Sequence, residues 1–416
     1  PPFSEYIKNT NASPSVKRTL IQVKERLDAE FIDENTKLTK EFILDTSRKK
    51  SFLKVENNVL RSMDELTEKA GRLIQGASPE YIRLLGPWFQ RLQNYVKRDL
   101  NKNNFMCFTS GVSTHDCATL LTSVNGVVVE NDVSAWDASL DILFAELEYW
   151  FVVKMKAPIA IQQYMQKNVI KIGVTFFGFK YKVNGIRASG EPFTSLFNSL
   201  WNLCIHLFIF CRVTGHTIAE SRLLIRGLFQ GDDCAMMVPK GLNINWRAWF
   251  LLFGFKCKAV IRDDYRDVEF CSMRLYPVVE GWCFGPKIGK VFSKIGYFVN
   301  PPINIDPHVL LKGVCLGMIP NCSFIRPFEV YFRHLLNRLH HVDAKATRQE
   351  EWQMRFSSCT ENDQTRLAIE RHYDLTPNLC ESLQSEIDKT ELGCNSIGPV
   401  FRYVCDKDTG GRAFLH

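Results

Sequence analysis

The tripeptide Gly231-Asp232-Asp233 stands between two largely apolar runs, Leu223 to Leu228 and Ala235 to Val238. Neighbouring carboxylates repel, and a fold keeps them together where something neutralises them. Upstream, the β-branched run SVNGVVVENDVSAWD (123–137) reads as a buried strand that ends in acid at Asp132. Three carboxylates with no basic neighbour of matching pattern suit hard cations that take oxygen ligands, chiefly Mg²⁺ or Mn²⁺. Two such ions about 3.5–4 Å apart activate a hydroxyl and steady a leaving pyrophosphate during in-line displacement, which is nucleotidyl-transfer chemistry. Gly-Asp-Asp is also a common turn, so the tripeptide alone does not decide the matter.

A second set of polar residues narrows the choice. Asp137 lies five positions past Asp132, beyond the strand end, and SGEPFTSLFN (189–198) puts Ser189 and Gly190 in a turn before a helix that starts near Pro192. Thr194 and Asn198, four residues apart, then share a helical face. A carboxylate acceptor with hydroxyl and amide groups facing one pocket is what reading a ribose 2′-OH requires, because that group both donates and accepts. Capping of the helix by Ser189 and Thr194 is the plainer alternative, and it leaves Asn198 unexplained.

The elements that must position these groups follow from pattern. Residues 1–104 read as mostly helical and mixed in charge, with basic clusters at SRKKSFLK (47–54) and KAGR (69–72). DASLDILFAELEYWFVVKM (137–155) has helical spacing, and GVTFFGFKYKVNGI (173–186) is strand-like. The apolar segment SLFNSLWNLCIHLFIFC (195–211) carries Asn198, Asn202 and His206 on a helical period, which predicts a buried helix over a membrane span. The Gly-Asp-Asp stretch predicts a β-hairpin tip, residues 244–261 a helix turning into a strand, 267–282 another hairpin, and 285–416 a mainly helical remainder.

Composition sets the outer bounds. The 416 residues carry a net charge of +7, with 45% apolar and 23% charged residues, a mildly basic globular composition that permits a polyanionic partner. The fourteen cysteines are scattered and form no CxxC pair, which predicts reduced, mostly buried thiols and argues against a zinc ribbon. The start PPFSEYIKN, without an initiator Met or a signal-like region, reads as an excised fragment of something longer.

Together these residues resemble the palm motifs of RNA-dependent RNA polymerases of positive-strand RNA viruses: DVSAWD (132–137), SGEPFTSLFN (189–198) and GDD (231–233), in the usual order. SFLKVENN (51–58) and KAGRLIQGASPEYIRLLGPW (69–88) resemble the fingers motif, FGFKCKAV the motif with a lysine near the leaving group, and EFCSMRLYP the hairpin that grips the primer end. RLIQ, GDDC and FCS are similar to nodavirus-like and tombusvirus-like enzymes, and SGEPFTSLFN also fits alphavirus-like ones. Gly71 stands where a proline is often seen.

The resemblance implies an α+β right-hand fold: fingers over 1–125, with a fingertip motif near 48–76; palm over 126–154; a fingers insertion over 155–188; palm over 189–284; and a helical thumb over 285–416. The palm would be an antiparallel sheet with an RRM-like core. Asp132 and Asp232, with Asp233 secondary and Val133 beside them, would hold two Mg²⁺ or Mn²⁺ ions. Asp137, Ser189, Gly190, Thr194 and Asn198 would read the ribose, Lys54, Lys69 and Arg72 would hold the triphosphate, and Lys258 or Lys256 would protonate the leaving pyrophosphate. RNA template and product strands, NTPs and other viral replication proteins are the implied partners, in a membrane-associated complex of the host cytoplasm. The expected activity is RNA-templated RNA synthesis. A reverse transcriptase, an inactive RNA-binding homologue and a metal-dependent nuclease are the alternatives. Asp137 with Asn198 speaks against the first, the full set of acids against the second, and the ribose-reading set against the third.

Overall fold

The computed structural model describes residues 2–10, 12–54, 71–298, 304–344, 359–389 and 398–410. Twelve strands occur among them: β1 (Lys49–Leu53), β2 (Leu73–Gly76), β3 (Met106–Phe108), β4 (Val127–Val133), β5 (Ile170–Thr175), β6 (Lys180–Asn184), β7 (Arg226–Gln230), β8 (Asp233–Val238), β9 (Cys257–Arg262), β10 (Glu269–Phe270), β11 (Met273–Val278) and β12 (Gly281–Pro286). They form three sheets, ordered β3-β7-β8-β4-β9, β2-β1-β5-β6 and β10-β11-β12.

The middle strands β7 and β8 of the five-stranded sheet are mostly buried on both faces, as their near-continuous apolar runs require. Because side chains alternate along a strand, Val129, Phe229, Met236 and Val238 pack on one side with the helices Thr194–Thr214 and Trp246–Leu252. Val128, Leu228, Ala235 and Met237 pack on the other with the helix Thr114–Leu121 and with β11 and β12. β4, β7, β8 and β9 pair antiparallel, as the sequence predicts. β3, in contrast, joins β7 in parallel. Three residues are too short to show a period, which is why this strand has no signature in the sequence.

The four-stranded sheet unites segments far apart in the chain, since β1 pairs antiparallel with β2 and parallel with β5. One expectation changes here and another is refined. SRKKSFLK, a basic cluster in a region that reads as mostly helical, is strand at its core, and the strand-like stretch 173–186 belongs to a hairpin, β5 and β6 joined by the turn Phe176–Phe179. The long apolar segment is the helix Thr194–Thr214, with Leu203, Ile209 and Phe210 in the core. Long and apolar enough to cross a membrane, it is more than half buried inside the protein.

From residue 288 onward the described chain is helical. Ile288–Phe292, Pro307–Cys322, Arg326–Arg338, Asp363–Tyr373, Pro377–Asp388 and Pro399–Thr409 close around Phe292, Phe328, Phe332 and Phe401. Tyr276 of β11 and Cys283 of β12 share this core, so the three-stranded sheet bridges the central sheet and the C-terminal helices. The cysteines among the described residues are all free thiols, and most are buried. The coarse reading, a mixed fold of sheets and many helices, holds.

Candidate active site

The β7–β8 turn is built to hold its shape. Gln230 pairs with Asp233, so Gly231 and Asp232 alone make the turn, and Gly231 takes φ 65°, a left-handed conformation that glycine adopts without strain. The helix Thr194–Thr214 grips the turn backbone. Gly231 N–H donates to Ser199 Oγ at 2.7 Å, and Asn202 Nδ2 donates to the carbonyls of Gly231 at 3.1 Å and Asp232 at 2.9 Å. One turn further on, His206 Nδ1 donates to the Asn202 carbonyl at 2.8 Å, while Nε2 lies 2.6 Å from Asn131 Nδ2 on β4. Burial lowers the His206 pKa to about 4, so the ring is neutral and Nε2 accepts from Asn131. A single helix face therefore ties β4 to the β7–β8 turn.

The acids meet through strand register. β4 and β8 pair Glu130 with Ala235, and continuing that register sets Asp132 opposite Asp233. β4 and β9 pair Asp132 with Lys258. Opposed residues on neighbouring strands share a face, so Asp132, Asp233 and Lys258 project to one side at the strand ends, with Asp232 next in the turn. The sequence shows no basic neighbour for these acids; the fold supplies one across the strand.

Asp132, Asp232 and Asp233 all retain exposed surface. Even so, protein atoms crowd the Asp233 carboxyl, and this desolvation, followed by the charges of Asp232 and Asp132, raises its pKa against a hydrogen bond from Cys271 and the charge of Lys290. Among the described residues no three His, Cys, Asp or Glu side chains are gathered closely enough to hold a metal ion as they stand. The donors nevertheless fit a hard divalent cation: they are carboxylate oxygens only, and Val133, whose side chain is buried, has only its carbonyl to add.

Beyond Val133 the chain reverses. Ala135 takes φ 51°, and buried Trp136 stacks on Phe255 at 4.6 Å between centroids, which brings Asp137 back beside the strand end. Asn198 Nδ2 donates to Asp137 Oδ1 at 2.8 Å, and Arg187 Nε donates to Asn198 Oδ1 at 3.1 Å. Arg187 also forms a buried fork with Glu148, donating from Nη1 to Oε2 at 2.9 Å and from Nη2 to Oε1. Trp201 Nε1 donates to Glu148 Oε1 at 2.8 Å. Burial raises the Asp137 pKa; the Asn198 hydrogen bond and the Arg187 charge oppose that rise, and Asp232 adds to it. As placed, both ends of the Asn198 amide are engaged by protein.

The remaining expected residues fall around this centre. Gly190 sits against β2: its N–H donates to the Gln75 carbonyl at 3.2 Å, and an added Cβ would stand 2.5 Å from that oxygen. The Thr194 hydroxyl donates to the Ala188 carbonyl at 3.0 Å, so it braces the loop. Phe193, not Ser189 or Thr194, occupies the helix N-cap position, and no side chain caps it. Ser189 lies half-buried in the same loop. Lys54 and Arg72 sit across from one another at the open end of β1 and β2, with Lys54 N–H donating to the Arg72 carbonyl at 2.8 Å. Lys69 lies outside the described residues. Lys256 and Lys258 are both exposed and flank buried Cys257, as strand alternation predicts, and Lys258 is the one opposite Asp132.

Sequence reasoning passed over Arg187, Glu148, Ser199 and the Lys49–Glu191 ion pair. Two of these left a trace: Glu148 is an acid inside an apolar helical run, and Arg187 stands two residues before Ser189. Lys49 of β1 contacts Glu191 at 2.7 Å with both side chains buried. Burial alone would raise the Glu191 pKa, but the charges of Lys49, Lys171 and Arg187 outweigh it and hold it low.

A family model described as RNA dependent RNA polymerase matches residues 22–306, most of the chain. The RNA-directed RNA polymerase of Tobacco necrosis virus (strain A) is 24% identical over 388 residues, covering 85% of this chain and 51% of that protein. The enzyme of the same name from Melon necrotic spot virus is 26% identical over 279 residues, covering 61% and 32%, and that of Carnation mottle virus is 24% identical over 251 residues, covering 56% and 30%. The chain thus spans about half the length of the first of these relatives and about a third of the other two. With its central motifs inside the matched region, the chain belongs to the RNA dependent RNA polymerase family.

Proposed function

We propose that the chain performs template-directed RNA synthesis from NTPs, replicating a viral RNA genome. The observation that carries this reading is the strand register that sets Asp132 beside Asp233 and Lys258, next to Asp232, with Asp137 held at their edge by Asn198. Asp132, Asp232, Asp233 and the Val133 carbonyl are the groups to hold two Mg²⁺ or Mn²⁺ ions. When bound, such ions supply activation of the primer 3′-hydroxyl and neutralisation of charge on the pyrophosphate.

The chain's own residues do the rest. Lys258, on the same face as the acids, is the better placed of the two lysines to give a proton to the departing pyrophosphate oxygen. Asp137 presents its second carboxylate oxygen to the donor of a ribose 2′-OH, and the loop at Ser189 and Gly190 borders that sugar. Arg72, with Lys54 and Lys69, grips the triphosphate, Arg by its fork and Lys as a point charge. In this reading the four-stranded sheet and N-terminal helices are fingers, the five-stranded sheet is palm and the C-terminal helices are thumb. RNA template and product occupy the cleft between them. Other viral replication proteins and a membrane-associated complex in the host cytoplasm belong to the same reading.

Extension of an RNA primer-template by the purified chain, with Mg²⁺ and NTPs, tests it against the double variant Asp232→Asn/Asp233→Asn. Elongation by the wild type that the double variant lacks is the expected result. Undiminished elongation by the variant, or a wild type that extends only with dNTPs, would overturn it.

A further inference from the structure

We infer that Arg187 is a positioning residue for sugar selection: its Nε fixes the orientation of the Asn198 amide, and through it the Asp137 carboxylate, while Glu148 locks Arg187 in place. This inference rests on the polymerase reading given above.

An asparagine amide can turn over, exchanging its oxygen and nitrogen, and only its neighbours decide which way it points. Asn198 lies between two neighbours of opposite demand. Arg187 Nε can only donate and stands 3.1 Å from Oδ1; the Asp137 carboxylate can only accept when ionised and stands 2.8 Å from Nδ2. With both present, one orientation satisfies every group, and the turned one sets oxygen against carboxylate and N–H against N–H. Arg187 reaches Asp137 by a second route, since its backbone N–H donates to the Asp137 carbonyl at 2.7 Å.

Arg187 itself is held from the far side. The Glu148 carboxylate takes both Nη groups, and Trp201 Nε1 donates to Glu148 Oε1, so the guanidinium plane cannot rotate without breaking a buried fork. Arg187 and Glu148 are almost completely buried, at 4% and 1% exposure, and Asn198 is 6% exposed. No substrate reaches such groups directly. Their effect on the sugar must pass through Asp137, which is more open than Arg187, Glu148 or Asn198. Among the described residues its Oδ2 has no hydrogen-bond donor, which is the side a 2′-OH would approach.

The test is kinetic and uses the whole chain. Single-nucleotide incorporation on one RNA primer-template, with matched NTP and dNTP, gives a ribose preference as a ratio of kcat/KM values. Arg187→Lys keeps the charge but loses the planar Nε donor, and should reduce that ratio at least about tenfold, mainly through the NTP arm. Asn198→Ala should reduce it comparably, and the double variant should lower it no further, since both act on one chain of bonds. Glu148→Gln leaves Arg187 in place with a weaker clamp, and should narrow the ratio in the same direction even if Arg187→Lys proves too unstable to purify. A wild type with strong ribose preference, beside Arg187 and Glu148 variants that slow NTP and dNTP equally, would reduce both residues to a structural ion pair and leave the polymerase reading standing. An additive double variant would overturn the inference as well. Absence of any incorporation by the wild type would instead sink the function from which the inference starts.

Discussion

The proposed roles of Asp232 and Arg72 predict separate effects, one on rate and the other on nucleotide binding. Asp232→Asn nearly preserves shape and removes a charge from the exposed acid set, so elongation should fall by at least about 10³-fold if electrostatic stabilisation dominates the chemistry. Circular dichroism and the unfolding midpoint should stay near wild type, because an exposed turn residue contributes little to packing. Arg72→Lys keeps the charge but loses the bidentate fork, so the nucleotide KM should rise while the fold stays intact. Steady-state kinetics with one limiting NTP measures this. An unchanged KM with an unchanged kcat would return Arg72 to an ordinary solvated strand end.

At the scale of elements, the helix Thr194–Thr214 acts as the spine of the site. Its Asn202 donates to carbonyls of the Gly231-Asp232 turn, and among the described residues those two carbonyls accept from no other side chain. Asn202→Ala removes these hydrogen bonds and should cost about 0.5–1.5 kcal/mol of stability for each. Asn202→Asp is nearly isosteric yet points an anion at carbonyl oxygens beside two aspartates, so it should be the more damaging of the two in both urea midpoint and elongation rate. Gly190 makes a different kind of joint. Its missing Cβ lets the loop before this helix lie against β2, with Gln75 O at 2.5 Å and Gly76 Cα at 2.9 Å from where a Cβ would stand. Since both neighbours are backbone, Gly190→Ala should separate loop from strand and destabilise the protein by about 1–3 kcal/mol.

Across the whole molecule, buried charge joins the parts. The Lys49–Glu191 pair fastens the four-stranded sheet to the loop that leads into the central helix. Lys49→Met would leave the buried Glu191 carboxylate with the Asn168 and Tyr81 donors and the charges of Lys171 and Arg187 but no ion-pair contact, and should cost up to about 3–5 kcal/mol, whereas Lys49→Met with Glu191→Gln should recover part of that loss. Urea unfolding of the three proteins compares them directly. Acid should loosen the same interior. His206 in the central core and His372 beside β11 each titrate at about 4 when folded, burial being the main cause in both, against about 6.5 for an ordinary histidine. Between those values the unfolded chain binds more protons than the folded one, so stability should fall as pH drops from about 6.5 towards 4, by at most about 1.4 kcal/mol per pH unit for each histidine. His372→Gln should remove one proton's share of that slope in thermal melts taken across the window.

What the sequence determined by itself was local or carried in short runs. The strand that ends near Asp132, the Gly231 turn, the helix bearing Asn198, Asn202 and His206 at intervals of four, and the helical C-terminal part were all legible, because periodicity and glycine placement are written in neighbouring residues. Kinship was legible for the same reason, since the family's motifs are short and ordered. What only the tertiary structure decided was pairing. Nothing near Asp132 in the chain reveals that Lys258 lies opposite it, that β1 runs parallel to β5, or that β3 joins the central sheet. Register depends on long-range hydrogen bonds and on which faces two distant strands can bury together. The support of the site was hidden for a related reason. Position alone does not show that Arg187, Glu148 and Glu191 are buried, and burial becomes affordable only when the fold delivers each partner within hydrogen-bonding reach.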